Sequence, residues 1–275
     1  MTGLDDAHLR YLRLLEIDGL PGGLAGLRAI VRQHLCRVPF ENVSKLLLYA
    51  REGAGRLTTL PEFLDGIARH DLGGTCYTCN PFLAGLLGAL GYDADLLGAD
   101  MSAPNVHTCL RVRTGGLAYH VDVGYAAPFR KPLRLDRLPA EVVEGRNRYV
   151  LERDAADEGY RVTMFTGPER RHAYVAHQPP RSLDFFAETI RESYRPGTTF
   201  MTWLRISRFF EDRSVDLVNR QLSLHRAGET TVTELRNMSE LKAAVAGPMA
   251  MPRCPVEAAV RVLEGLTGNP FFDGA

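Results

Sequence analysis

Cys76 stands in Leu72-Gly73-Gly74-Thr75-Cys76-Tyr77-Thr78-Cys79-Asn80, with two glycines ahead of the thiol and an apolar run, Phe82 to Leu90, behind it. Val106-His107-Thr108 follows, and then Val121-Asp122-Val123-Gly124. A cysteine, a histidine and an aspartate supply a thiolate nucleophile, the base that manages its proton, and the carboxylate that orients the base. Cys76, His107 and Asp122 are expected to meet in one nucleophilic acyl-transfer site. A thiol attacks only once deprotonated, which takes a neighbouring imidazole, a helix N-terminus or both. Gly73-Gly74 allows close backbone approach and a sharp turn that presents Cys76. Pro81 suits a first helical turn with Asn80 as its N-cap, so the regular helix is expected to begin a few residues past Cys76. The backbone amides of Cys76 and Tyr77 are candidate donors to an oxyanion.

The histidine and aspartate fall on two segments that alternate apolar with polar residues, Val106 to Arg113 and Leu117 to Val123, joined by Thr114-Gly115-Gly116. That pattern reads as a hairpin. A Thr114-Gly115 turn sets Arg113 against Gly116, Cys109 against His120 and His107 against Asp122, with opposed Cβ atoms about 4.5–5.5 Å apart. One face then carries Val106, Thr108, Leu110, Val112, Tyr119, Val121 and Val123. The other carries His107, Cys109, Arg111, His120 and Asp122. His120 is a rival base, but it shares a strand with Asp122 two residues away, about 6.5–7 Å along the chain. A surface hairpin with an incidentally polar face is the plain alternative.

Two other readings of Cys76-Tyr77-Thr78-Cys79 stay open. A redox pair needs a βαβ context, whereas helices precede this motif. A zinc site would take Cys76, Cys79 and His107, with Cys109 as fourth ligand, but it lacks a second short Cys-x-x-Cys. Composition narrows the rest. Basic and acidic residues balance at 33 each, so no bulk field favours nucleic acid or a membrane surface. Five cysteines do not make a disulfide framework, no apolar run reaches the length of a membrane span, and the start lacks signal-peptide character. A cytoplasmic protein is expected.

The elements that must hold these residues divide the chain into an α+β arrangement of three parts. Residues 1–92 read as a helical bundle carrying the nucleophile, with helices over His8–Ile17, Leu24–Leu35, Leu60–Arg69 and Pro81–Leu90, and with breaks at Leu20-Pro21-Gly22-Gly23 and at Val38–Val43. Residues 93–205 carry short β-prone runs and read as an antiparallel β-barrel holding His107 and Asp122, with Leu183–Tyr194 a helix or arm within it. Residues 206–275 read as an α/β lid, with a hairpin at Arg226-Ala227-Gly228 and helices near Glu240–Ala246 and Pro255–Leu266.

Four motifs in order resemble the arylamine N-acetyltransferases. They are Pro39-Phe40-Glu41-Asn42, Gly73-Gly74-Thr75-Cys76, His107, and Val121-Asp122-Val123-Gly124, with Asn80 also fitting. The resemblance implies a Cys76–His107–Asp122 triad and a ping-pong transfer. An acyl group, usually acetyl, passes from acyl-coenzyme A to Cys76, and then to an arylamine, arylhydrazine or related amine. It also implies that Gly124-Tyr125-Ala126-Ala127-Pro128-Phe129 lines the cleft, which makes Tyr125, Phe129 and Phe40 candidate pocket walls beside Tyr77 and Gly124. Small-molecule partners, no nucleic acid, no membrane, no metal, and a monomer or homodimer are expected. Two family positions differ here: Leu72 replaces the arginine that opens the nucleophile motif, and Thr78 replaces an acidic residue. Glu41 thereby loses its usual ionic partner, so either another arginine or exposure is expected at Glu41. Arg130-Lys131 is the preferred basic pair for the phosphates of coenzyme A, ahead of Glu169-Arg170-Arg171-His172. The alternatives are an amide synthase of natural-product biosynthesis, a transglutaminase- or papain-like cysteine hydrolase, and a non-enzymatic zinc protein on Cys76, Cys79 and His107.

Overall fold

The computed structural model of the chain describes residues 4–19, 22–155 and 159–272. Met1-Thr2-Gly3 and the expected breaker Leu20-Pro21 lie outside them. Helix α1 (Asp6–Leu14) starts at Asp5, whose carboxylate accepts the His8 N–H, and α2 (Gly23–Arg37) buries Leu27, Ile30, Val31 and Leu35 on one stripe. A two-residue strand, β1 (Phe40–Glu41), leads into α3 (Val43–Glu52), a helix not expected from the sequence. Its signals are Val43 and Leu46 a turn apart facing inward, and Gly53 at φ 68° closing the helix in the left-handed conformation. Helix α4 (Leu60–His70) opens on a reciprocal cap between Thr59 and Glu62.

Helix α5 runs from Cys76 to Ala89. It starts five residues before the expected point, so Pro81 lies inside it and Asn80 is not its cap. The preceding residue, Thr75, is extended at φ −101° and ψ −170°, which sets the helix start at the thiol itself.

Eight antiparallel strands then form a curled, nearly closed barrel: β2 (Asp93–Asp100), β3 (His107–Thr114), β4 (Leu117–Val121), β5 (Leu133–Arg134), β6 (Ala140–Glu144), β7 (Asn147–Arg153), β8 (Tyr160–Thr166) and β9 (Glu169–Pro180). Their order is β5-β4-β3-β2-β9-β8-β7-β6. The short strands β5 and β6 were not anticipated. The β3–β4 turn is Gly115-Gly116, both at positive φ, not Thr114-Gly115, because a hairpin turn of this hand needs two left-handed residues and glycine meets that without strain. Thr114 therefore pairs with Leu117, and Arg111 with His120. The ladder moves two residues from the expected register, a whole pleat repeat, so each side chain keeps its expected face. Both faces are buried. Leu110, Val112, Tyr119 and Val121 join the core under α5, while Cys109 joins Tyr125, Phe129, Tyr149, Tyr160 and Tyr174 inside the barrel.

A single-turn 3₁₀ segment, Leu183–Phe186, precedes α6 (Ala187–Glu192). A second antiparallel sheet joins β1 to β10 (Arg205–Phe209), β11 (Arg213–Val218), β12 (Gln221–Arg226) and β13 (Glu229–Glu234), in that order. The β12–β13 hairpin turns at Ala227-Gly228, as its sequence indicated. Helices α7 (Met238–Ala246) and α8 (Val256–Thr267) follow, and α8 packs against α3. The main hydrophobic core runs continuously from Leu12 through Leu46, Leu86 and Ile206 to Val260, so chain segments remote in sequence share it.

Candidate active site

Cys76, the expected nucleophile, sits at the N-terminus of α5. The first helical hydrogen bonds run from the Thr78 and Cys79 amides to the Thr75 carbonyl, both 3.0 Å. The Cys76 and Tyr77 amides precede them, and the positive end of the helix lies at the sulfur. Space around the thiol is tight: a Cβ on Gly124 would stand 2.4 Å from Cys76 Cα and 2.6 Å from Asn80 Nδ2. A Cβ on Gly73 would stand 2.0 Å from the Pro39 carbonyl oxygen. Both glycines are thus required by close approach, one on each side of Cys76. The sulfur lies 3.9 Å from the Val106 carbonyl, one residue from His107.

His107 and Asp122 meet across the hairpin as diagonal neighbours, with Nε2 to Oδ2 at 2.8 Å. Both are buried, at 3 % and 0 % exposure. Burial pulls the His107 pKa down, but attraction to Asp122 and then to Cys76 outweighs it and raises the group to about 10. The Asp122 carboxyl is held below its ordinary value: burial opposes this, and the charge of His107 overcomes it. Every oxygen of that carboxylate is engaged. Oδ1 accepts from Asn80 Nδ2 at 2.9 Å and from the Gly124 amide at 3.0 Å. Oδ2 accepts from His107 and from the Tyr174 hydroxyl at 2.9 Å. Asn80 also donates to the Thr108 carbonyl at 2.6 Å and accepts from the Val123 amide at 3.0 Å. This helix-borne amide therefore locks α5 to the hairpin. His120, the rival base, bonds to Tyr174 at 3.0 Å, and burial lowers it to about 4, so it stays neutral. Tyr174 was missed in the sequence because nothing in its alternating strand marks one tyrosine as different from its buried neighbours.

These groups open onto a cavity of about 1240 Å³. Cys76, His107, Phe40, Tyr77, Gly124 and Tyr125 line it, whereas Phe129 does not. Phe129 packs in the barrel core against Tyr125, Tyr149 and His120, because an inward-facing ring there fills the barrel before it can reach the cleft. Arg146, Arg161, Arg170 and Arg171 supply a basic stretch of the wall. Arg130, the residue favoured from sequence for phosphate contact, is instead consumed by a two-pronged pair with Glu144 and a bond to the Phe210 carbonyl.

Glu41 meets neither expectation raised by Leu72. It is fully buried, and no arginine among the described residues takes over; backbone amides of Ser44 at 2.8 Å and Gly73 at 3.0 Å hold it. Burial raises its pKa, and those amides only partly oppose the rise. Cys79 and Cys109 are fully buried, and burial pushes both thiols well above the ordinary range. Among the described residues no three His, Cys, Asp or Glu side chains gather as metal ligands would, so the zinc alternative has no geometry behind it.

Comparison with known proteins identifies the family of the chain and its fold. A family model described as N-acetyltransferase matches residues 23–248. The arylamine N-acetyltransferase of Mycolicibacterium smegmatis is 28% identical over 233 residues, covering 80% of this chain and 82% of that protein. The enzyme of Mycobacterium abscessus has the same fold, with a TM-score of 0.78 at 21% identity over 94% of both chains. That of Mycobacterium marinum, solved in complex with CoA, matches with a TM-score of 0.79 at 21% identity over 94% of this chain and 98% of its own. The chain belongs to the arylamine N-acetyltransferase family and is an acyltransferase of that type. No helix among the described residues is long and apolar enough to cross a membrane.

Proposed function

We propose that the chain moves an acyl group from acyl-coenzyme A to an aromatic amine or hydrazine by a ping-pong reaction through Cys76, with His107 as its base and Asp122 as the orienter of that base. The observation that carries the reading is the buried 2.8 Å His107–Asp122 pair beside a large cavity that His107 and Cys76 both line. The Cys76 thiolate attacks the thioester carbonyl, the new carbon–sulfur bond forms, and the bond to the coenzyme sulfur breaks. Coenzyme A departs with the proton held by His107. The acceptor nitrogen then attacks the acyl-cysteine, the bond to Cys76 breaks, and the amine proton passes to His107, which restores the ion pair. The Cys76 and Tyr77 amides at the head of α5 are the backbone donors available to the oxyanion of each step. Arg146 and Arg170, which have no ion-pair partner among the described residues, together with Arg171, suit the phosphates of coenzyme A.

One observation favours a bulky partner: the cavity exceeds the roughly 300–1,000 Å³ of ordinary small-molecule sites. An amide synthase, which uses the same acyl-cysteine with a larger substrate, is the second reading. Intact-mass measurement after mixing with acetyl-CoA tests the first step. An acetyl adduct on Cys76 that an added aromatic amine removes is the expected result, and Cys76→Ala should form none while keeping its circular dichroism. Absence of any adduct on the wild-type chain overturns the proposal.

A further inference from the structure

Lys45 is the one buried lysine of the three in the chain; Lys131 and Lys242 are exposed. It projects from α3 into the wall of the reaction cavity, which it lines together with Cys76, and it is only 9 % exposed. Its ammonium donates to Ser193 Oγ at 2.6 Å and lies 4.1 Å from the centre of the Tyr194 ring. Ser193 in turn donates to the Ile190 carbonyl. No carboxylate is within ion-pair distance of Lys45 among the described residues. Glu192, on the same cavity wall, is taken by Arg195 at 2.7 Å. Burial pulls Lys45 down to about 8, and the charge of Cys76 opposes that fall.

Burying a cation costs several kcal/mol unless an anion meets it. Two neutral partners leave a third ammonium hydrogen and a full charge facing the space where substrates react. We propose that Lys45 recognises a carboxylate carried by a substrate, either at the far end of the transferred acyl group or on the acceptor amine. The inference rests on the transferase reading and adds the substrate class. A lysine suits the task because its ammonium is a compact point charge on a flexible stem, able to meet a carboxylate whose position varies.

The full-length enzyme is assayed in two arms. In the donor arm, succinyl-CoA is compared with butyryl-CoA by the rate of coenzyme thiol release and by the mass of the Cys76 adduct. In the acceptor arm, 4-aminobenzoate is compared with its methyl ester, using acetyl-CoA. The expected result is a preference of at least about tenfold in kcat/KM for the anionic member of one pair, or about 1.4 kcal/mol. In Lys45→Met that preference should collapse to within about threefold of unity, and Lys45→Gln should do the same if the methionine variant does not melt cooperatively. Equal use of both members in both arms by the wild type overturns the proposal, as does a variant that slows anionic and neutral substrates by the same factor. A wild-type chain that forms a Cys76 adduct but shows no preference defeats this inference alone. One that forms no adduct with any donor defeats the transferase reading as well.

Discussion

Asp122 spends all of its hydrogen-bonding capacity on fixed donors, and three of the four, Asn80, the Gly124 amide and Tyr174, are not His107, its proposed base partner. Tyr174→Phe removes one O–H from that carboxylate and leaves the ring packing in place. Alkylation of Cys76 by iodoacetamide should then slow by about three- to tenfold, in keeping with the loss of one charge-assisted bond. An unchanged rate would mean that the hydroxyl serves His120 only. Asp122→Asn should slow the same reaction far more, because the wrong imidazole tautomer is then favoured. The sign of the pH effect follows from His107. Its folded pKa of about 10 lies above the unfolded value near 6.5. The pair's contribution to stability is therefore complete below about pH 6.5 and is lost as pH rises through about 10. Urea melts at pH 7 and pH 9.5 should show a larger drop for the wild type than for His107→Gln. Cys76, His107 and Asp122 were readable as residue types in order. Their supporting tyrosine was not, since support of this kind depends on which inward side chain the barrel happens to bring within 3 Å.

At the level of elements, faces were legible and registers were not. Alternation along β3 and β4 placed His107 and Asp122 on one side with either two-residue turn, because a slip of two residues returns every side chain to its face. The contact nevertheless forms on the diagonal, two residues from where a Thr114-Gly115 turn would have put it. Helix α3 escaped notice because Pro39-Phe40-Glu41-Asn42 looked like the close of one element and its role as the lead into the next was not apparent. Helix α5 starts at Cys76 although Pro81 signals a later start. A proline five residues into a helix forfeits one bond to the Tyr77 carbonyl, a loss the surrounding packing can outweigh. The loop after Asp122 makes its own demand. Gly124→Ala must push Cys76 Cα and Asn80 away from the hairpin, so the variant should lose about 1–3 kcal/mol of stability. Acyl transfer should fall more steeply than stability, measured by urea melts beside single-turnover rates. A variant with full activity would show that the approach is less tight than these distances require.

For the molecule as a whole, charge balance at neutral pH conceals an acid weakness. His34 lies fully buried in the helical region against Tyr11, with neither ring nitrogen hydrogen-bonded, and burial lowers it to about 3. The unfolded chain takes up that proton near pH 6.5 and the folded one does not, so stability falls as pH drops below 6.5. At pH 5 the loss is about 2 kcal/mol from this residue. His34→Leu should shrink the stability lost between pH 7 and pH 5 by about that amount in urea melts. The change from helices to barrel strands was visible in the sequence because turn chemistry and periodicity change near residue 92. The links between the parts were not, since they hang on a two-residue strand too short to carry a pattern. Phe40 pairs with Ser207 in the second sheet and also bridges to Gly74, while the Glu41 amide donates to the Gly74 carbonyl at 3.1 Å. The peptide leading to the thiol is in this way stitched into a sheet drawn largely from residues beyond 200. Native-state deuterium exchange should accordingly find the Glu41 amide as slow as those at the centre of that sheet, so that heat silences the enzyme in the same event that melts its fold.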